Sequence, residues 1–335
     1  MEVLVTGGAG FIGSWVSRGL LGRGHDVVVL DNLSNGSLEN IKERLNDGKH
    51  CSHSCQPNCG SLVFIEGDVK DVTLLRDLFS AHDFELVFHL AASINVQDSI
   101  DNPRCTFEND TIGTFNVLEQ CRNKSNSGNK PCKMVFMSSC MVYDTAGKDD
   151  ALGIDEEHAT KASSPYSGSK IAAENMVMSY WYAYKHPVTV VRPFNTYGPF
   201  QKTGGEGGVI AVFIREELDG GILCVYGDGS QTRDFLYVED CAEFVIESGF
   251  SELTNGQVMN AGLGRDIAIK DLAVMIVGDT QRIRYVKHIH PQSEISKLLC
   301  NYGKAGELLG WRPKVGLEEG IQRTREWIKS NIKLG

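Results

Sequence analysis

The 335-residue sequence has no basic excess: 33 Lys and Arg face 43 Asp and Glu, a formal charge of -10. Nucleic-acid footprints are normally basic, so no nucleic-acid partner is expected. A small anionic ligand stays open, because local groups can hold a phosphate on an acidic protein. No apolar run approaches the ~20 residues of a membrane span. The first residues, Glu2-Val3-Leu4-Val5, read as a buried strand and not as a secretory leader. No membrane association and a cytoplasmic location are therefore the expectations. Internal repeats are lacking. Six of the ten cysteines (Cys105, Cys121, Cys132, Cys224, Cys241 and Cys300) are scattered singly, as buried thiols in a reducing compartment would be. The remaining composition, 41% hydrophobic and 23% charged, is that of a globular protein.

Short apolar runs alternate with helical patterns from the first residue. Glu2-Val3-Leu4-Val5, Asp26-Val27-Val28-Val29-Leu30, Leu62-Val63-Phe64-Ile65, Leu86-Val87-Phe88-His89-Leu90, Met134-Val135-Phe136-Met137 and Val188-Thr189-Val190-Val191 read as strands. Helical spacing separates them at 15–21, 73–81, 106–121 and 166–184. Continuous apolar strands between helices signal a parallel sheet covered on both faces, so the expected class is α/β, doubly wound. After about residue 198 the rhythm changes to shorter elements, following a Gly-rich stretch at 204–208 and ending in an amphipathic helix at 317–332. This divides the chain into a nucleotide-binding domain, 1–198, and a smaller substrate-binding lobe, 199–335, with the option of the chain crossing back.

Gly7, Gly10 and Gly13 follow the first strand with the spacing G-x-x-G-x-x-G. Gly7 permits a sharp turn, Gly10 lets backbone approach a pyrophosphate, and Gly13 allows close helix packing. Asp31 closes the second strand, where a carboxylate accepts bonds from an adenosine ribose. It would repel a 2′-phosphate, and no arginine immediately follows, which favours NAD over NADP. Asp68-Val69 ends the third strand, near the expected adenine. Tyr166 and Lys170, four apart, share one helix face. A neighbouring ammonium lowers the cost of a phenolate, turning a tyrosine into a usable base. Ser138-Ser139 ends the fifth strand, and a hydroxyl there can bond the same substrate oxygen.

Together with Asp31-Asn32-Leu33-Ser34-Asn35-Gly36, His89-Leu90-Ala91-Ala92, Val142-Tyr143, Arg192-Pro193-Phe194-Asn195-Thr196-Tyr197-Gly198-Pro199 and the run from Tyr226 through Arg233-Asp234-Phe235, these motifs resemble the extended short-chain dehydrogenase/reductases, specifically the nucleotide-sugar epimerases and dehydratases. The resemblance covers essentially the whole chain. It implies Ser139, Tyr166 and Lys170 as the catalytic triad. It implies NAD as cofactor, held by Gly7, Gly10, Phe11, Ile12, Gly13, Asp31, Asn32, Ser34, Asn35, Gly36, Asp68, Val69, Leu90, Ala91, Ala92, Ser138 and Pro193, with Tyr166 and Lys170. Asn195 and Arg233 would hold the substrate diphosphate. Val209, Cys224 and Tyr226 would line the nucleobase pocket, and Ser139 and Cys140 would face the sugar. The partner implied is a nucleoside-diphosphate sugar, UDP first, and the assembly a homodimer.

Four departures shape the finer reading. Met141 stands where relatives that dehydrate or decarboxylate carry an acid, and Cys140 precedes it. His290 stands where many relatives place an arginine, and Asp110 where asparagine is usual ahead of Gly113-Thr114. The expected reaction is C4 epimerisation through a transient 4-keto sugar. The alternatives are a dehydratase using Cys140, or an NAD-binding sensor without turnover. Separately, Cys51, His53, Cys55 and Cys59 carry the ligand types of a structural zinc site, at tighter spacing than usual. A polar loop with reduced thiols explains them as well.

Overall fold

The computed structural model describes residues 1–42, 59–126, 131–144, 152–204, 208–287 and 295–331. In chain order the elements are β1 (Glu2–Thr6), α1 (Phe11–Gly22), β2 (Asp26–Asp31), β3 (Leu62–Glu66), α2 (Val72–Ala81), β4 (Leu86–His89), α3 (Val96–Asp101), α4 (Pro103–Phe107), a π turn (Glu108–Ile112) and α5 (Gly113–Asn126). There follow β5 (Lys133–Met137), α6 (Pro165–Tyr184), β6 (Val188–Pro193), β7 (Asn195–Tyr197), α7 (Val209–Leu218), β8 (Leu223–Tyr226), β9 (Thr232–Tyr237) and α8 (Val238–Phe250). The remaining elements are β10 (Gln257–Ala261), β11 (Asp266–Ala268), α9 (Ile269–Val277), β12 (Ile283–Val286), α10 (Gly303–Leu309) and α11 (Leu317–Asn331).

Seven strands form one sheet in the order β10-β6-β5-β4-β1-β2-β3. Every pair from β3 to β6 runs parallel. The order reverses at β1, which lies between β4 and β2. In open α/β sheets, ligands bind at the carboxyl ends of the strands beside such a reversal. One sheet face packs Leu4, Val28, Phe136 and Val190 against Leu75 of α2, Val117 and Leu118 of α5 and Val177 of α6, all fully or almost fully buried. On α1, a Cβ at Gly19 would fall 2.5 Å from Ile246 of α8, so glycine lets these two helices meet closely. The α/β doubly wound expectation is borne out.

The chain divides into two compact units: Met1–Val142, Thr160–Arg192 and Ala242–Met259 in the first, and Tyr143–Ala159, Pro193–Cys241 and Asn260–Gly335 in the second. Residues 242–259, beyond the 198 boundary, thus belong with the first unit, and 143–159 with the second. The second unit has its own core, in which Ile210, Phe213 and Ile214 of α7 pack with Leu223, Val225, Phe235, Leu272, Ile321 and Ile328.

Two local features differ from the periodicity. The expected continuous helix over 106–121 is interrupted: α4 gives way to the π turn before α5 begins. Thr114 Oγ1 donates to the Asp110 carbonyl, and Thr111 Oγ1 donates to the Ser169 carbonyl at 3.1 Å, so side chains and a neighbouring helix support the widened turn. Hydrophobic spacing cannot register one extra residue per turn. The second feature is β10, which joins the sheet beside β6.

Helix α6 starts at a capping box. Ser164 Oγ accepts from Ser167 N, and Ser167 Oγ accepts no less locally from Ser164 N, while Pro165 occupies the first helical position. One turn beyond Lys170, Glu174 accepts two bonds from Arg192 of β6, at 2.8 Å from Nε and 2.6 Å from Nη2. Both side chains are 7% exposed. Removing one partner of a buried pair leaves a charge in low dielectric. Glu174→Ala is expected to lower the unfolding free energy by about 3 kcal/mol, read as a lower urea midpoint. An unchanged midpoint would show that the pair does not hold α6 to β6.

Candidate active site

The glycine turn is closed by contacts that leave no room for side chains. Gly7 has φ +70, and a Cβ there would lie 2.7 Å from Ala91 N; a Cβ on Gly13 would lie 2.1 Å from the Gly7 carbonyl oxygen. Leu90 and Ala91, after β4, therefore lie directly against the turn after β1. Gly10 caps α1 without a side-chain acceptor. The N–H groups of the first helical turn, at Phe11, Ile12 and Gly13, then offer the donors and positive dipole end that suit a pyrophosphate.

Asp31 is buried, and its carboxylate ties the turn to the end of β2. Oδ2 accepts from Ala9 N at 3.0 Å and Oδ1 from Leu33 N at 2.8 Å. Burial raises its pKa, against the pull of those backbone donors. With Gly10 as a third backbone donor, the carboxylate still has acceptor capacity for a ribose hydroxyl. Asn32 donates to Asp68 Oδ2 at 3.1 Å and accepts from Ser34 N at 3.0 Å, which orders the segment carrying Asn35 and Gly36. The Val69 carbonyl accepts from Asn116 Nδ2 at 3.1 Å. Pro193 is buried at the end of β6. Ser138 Oγ is buried with no partner among the described residues. A close backbone cradle, an acidic residue at the end of β2 and an orphaned hydroxyl at the end of β5 together fit a dinucleotide.

Tyr166, Lys170 and Ser139 come together at the end of β5. The Ser139 hydroxyl hydrogen-bonds the Tyr166 phenol. Ser139 Oγ accepts from Met141 N at 3.2 Å, which leaves its own proton to point at the phenol oxygen. Lys170 is 3% exposed, donates to the Met137 carbonyl at 3.1 Å and lies over the Phe136 ring at 5.2 Å. Burial lowers its pKa, while Asp110 and Glu174 raise it. The direction at Tyr166 is opposite to that expected from a neighbouring ammonium. Burial and then the Asp110 charge push its pKa well up, and the Ser139 bond pulls it down. The Lys170 ammonium donates to the Met137 carbonyl, and at Tyr166 burial outweighs the pull of the Ser139 bond. Cys140 is buried and close enough to Tyr166 to oppose its ionisation. Met141 is half-buried beside it.

The other expected contacts lie in the second unit. Asn195 opens β7, which pairs with β9 in the register Asn195↔Phe235, two residues past Arg233. Asn195 Oδ1 is buried without a partner among the described residues. Arg233 Nη1 donates to the carbonyls of Thr232 and Ile295, at 2.8 and 2.7 Å. Cys224 and Tyr226 face outward on β8 while Leu223 and Val225 enter the core, the alternation of a half-buried strand. Val209 begins α7 behind Gly208, again without a side-chain cap. His290 lies outside the described residues, as do Cys51, His53 and Cys55; Cys59 is a free, half-buried thiol. Among the described residues no cluster of His, Cys, Asp or Glu can hold a metal, and no helix is long and apolar enough to cross a membrane.

Sequence reasoning gave no role to Ser169 or His89. Ser169 stands between Tyr166 and Lys170, and its hydroxyl bonds both the Tyr166 carbonyl (2.8 Å) and Asp110 Oδ2 (3.1 Å). Burial drives His89 down to about 3, so it is neutral. Its ring bridges Thr6 Oγ1 at 2.7 Å and Thr114 Oγ1 at 2.9 Å. The small polar residues around the π turn were the only available signal.

The profile of the GDP-mannose 4,6 dehydratase family matches residues 4–324. The chain belongs to that family. Its members include nucleotide-sugar epimerases as well as dehydratases. The UDP-glucose 4-epimerase of Mycolicibacterium smegmatis is 33% identical over 98% of this chain and 99% of its own. The X-ray structure of Pal from Bacillus thuringiensis is 58% identical with a TM-score of 0.90, covering 98% of this chain and 99% of Pal. The Thermus thermophilus UDP-glucose 4-epimerase, solved with NAD, is 30% identical with a TM-score of 0.84, covering 98% and 99%.

Two outcomes are expected for a nucleotide-sugar enzyme of this family. Tyr166→Phe keeps the buried ring and removes the phenol hydroxyl. It should bind cofactor as the wild type does and lose activity by about a hundredfold or more, the size of a general-base contribution; near-normal turnover would remove Tyr166 from the chemistry. Titrating cofactor-free protein should give NAD binding tighter than NADP by at least about tenfold, ~1.4 kcal/mol, because Asp31 opposes a 2′-phosphate. Tighter NADP binding would overturn that role.

Proposed function

We propose that the protein is an NAD-dependent C4 epimerase of a nucleoside-diphosphate sugar, UDP being the preferred nucleotide. The observation that carries the reading is the Ser139–Tyr166–Lys170 group, gathered at the end of β5 in the same unit as the glycine turn. NAD, when bound, supplies the hydride acceptor. Gly7, Gly10 and Gly13 admit its pyrophosphate, and Asp31 takes its ribose hydroxyls. Tyr166 accepts the proton of the sugar C4 hydroxyl, and Ser139 donates to the same oxygen. Lys170 holds positive charge behind the phenolate. The hydride would return from the cofactor to the other face of the 4-keto sugar and the proton from Tyr166 to its oxygen, giving the epimer with no net redox change. The UDP-glucose 4-epimerase relatives support the substrate class.

Within the second unit, Asn195 and Arg233 are proposed to hold the diphosphate, and Val209, Cys224 and Tyr226 the base. A homodimer through paired helices is proposed; Ile112, Phe115 and Met176 are exposed on the π turn, α5 and α6. A cytoplasmic location is part of the same proposal.

A second reading rests on Cys140. Its thiol sits near the Tyr166 phenol, so a proton-transfer group other than Tyr166 is at hand. Elimination from the 4-keto sugar removes the C5 proton and expels the C6 hydroxyl as water, steps that need a base and an acid. Met141 offers neither, which favours epimerisation.

Turnover of a panel of UDP-sugars in D2O separates the readings. The expected product has the substrate's mass, an inverted C4 and no deuterium at C5. Loss of water with deuterium incorporated would make the protein a dehydratase and Cys140 its first residue to replace.

A further inference from the structure

Asp110 is a carboxyl buried without any exposure in the π turn. Ser93 N donates to Oδ1 at 2.6 Å, Asn109 Nδ2 donates to Oδ1 at 3.3 Å, and the Ser169 hydroxyl lies 3.1 Å from Oδ2. Its backbone is equally constrained. The Asp110 carbonyl accepts from Thr114 Oγ1, and Thr114 Oγ1 accepts in turn from His89 Nε2. That sequence of donors fixes the neutral His89 ring with its Nδ1 accepting from Thr6 Oγ1.

The Ser169 hydroxyl has one proton and two acceptors, Oδ2 of Asp110 and the Tyr166 carbonyl. With Asp110 ionised, that proton serves the carboxylate. With Asp110 protonated, Oδ2–H donates to Ser169, and Ser169 donates to the Tyr166 carbonyl. Both arrangements use the same atoms in the same places, so gain or loss of one proton requires no repacking. The groups facing Asp110 are Lys170 of α6, whose charge draws it toward ionisation, and Tyr166 of α6, whose ionisation it opposes. From β4 comes His89, which is neutral, and from α5 Thr114, which is uncharged. Beyond Lys170, Glu174 is committed to Arg192. Glu108 on the same turn pairs at the surface with Arg104 of α4.

We propose that Asp110 is a positioning residue that exchanges one proton beside the Tyr166–Lys170 turn, and that its charge sets the pH at which Tyr166 becomes a base. The proposal rests on the reading of Tyr166 as that base. An ionised Asp110 holds the ammonium charged and opposes the phenolate; a neutral one removes that opposition. Burial raises Asp110 toward the neutral form, and Lys170 draws it back.

The test compares pH profiles of kcat for the wild type, Asp110→Asn and Asp110→Ala with a UDP-sugar, alongside Tyr166→Phe. Asparagine keeps the bonds, because its oxygen accepts from Ser93 N and its amide donates to Ser169, while carrying no charge. The expected result is a folded Asp110→Asn enzyme whose phenol-ionisation limb moves down by about one pH unit, within the range of a neighbouring charge, with KM little changed. Difference absorbance of the phenolate between each protein and its Tyr166→Phe counterpart reports the same shift without turnover. Asp110→Ala should lose thermal stability as well, having lost the bonds. An unmoved limb and unmoved phenolate titration in folded Asp110→Asn would overturn the proposal. Full activity of Tyr166→Phe would instead overturn the reading beneath it.

Discussion

Lys170 has its ammonium buried at the end of β5, bonded to a main-chain carbonyl and set over an aromatic ring. Taking that charge out of water is costly unless other groups compensate. The surrounding structure supplies them: Asp110 from the π turn, Glu174 one helical turn on and the Met137 carbonyl from the sheet. Each compensation brings a second consequence. Asp110 raises the barrier to a Tyr166 phenolate, and Glu174 requires Arg192 beside it in the interior. The capping box at Ser164 and the Thr111 bond to the Ser169 carbonyl hold the helix that carries all of this in register with the strand ends.

The same burial explains why the resting site keeps its phenol protonated. A phenol that ionised freely at neutral pH would be a poor proton donor. The phenol is held high by burial and by Asp110, with the Ser139 bond pulling the other way.

Much of this was legible in the sequence where a residue type has one backbone purpose. Gly7 and Gly13 stand where a Cβ would strike main chain, and the four-residue spacing of Tyr166 and Lys170 does place both on the buried side of α6. Strand order was legible as a class, because six apolar runs separated by helices admit few parallel arrangements. The π turn was not, since apolar spacing before and after it continues almost in phase, and its support comes from residues distant in sequence such as Ser169. The return of β10 to the large sheet was equally hidden: Gln257-Val258-Met259-Asn260-Ala261 carries no mark of which sheet it will join. Tyr166 shows the limit most clearly. Spacing identified its ammonium neighbour, while the direction of its ionisation is decided by burial and by Asp110, more than fifty residues away in the chain.

The central claim is that hydride leaves the carbon whose hydroxyl proton Tyr166 accepts. Rapid mixing of the NAD-loaded enzyme with UDP-glucose, or with UDP-glucose deuterated at C4, tests it most directly through the near-ultraviolet absorbance of NADH. The account predicts a transient NADH band within one turnover that rises more slowly with the deuterated sugar and is suppressed in Tyr166→Phe. Product formed with no NADH band and no isotope effect would contradict it.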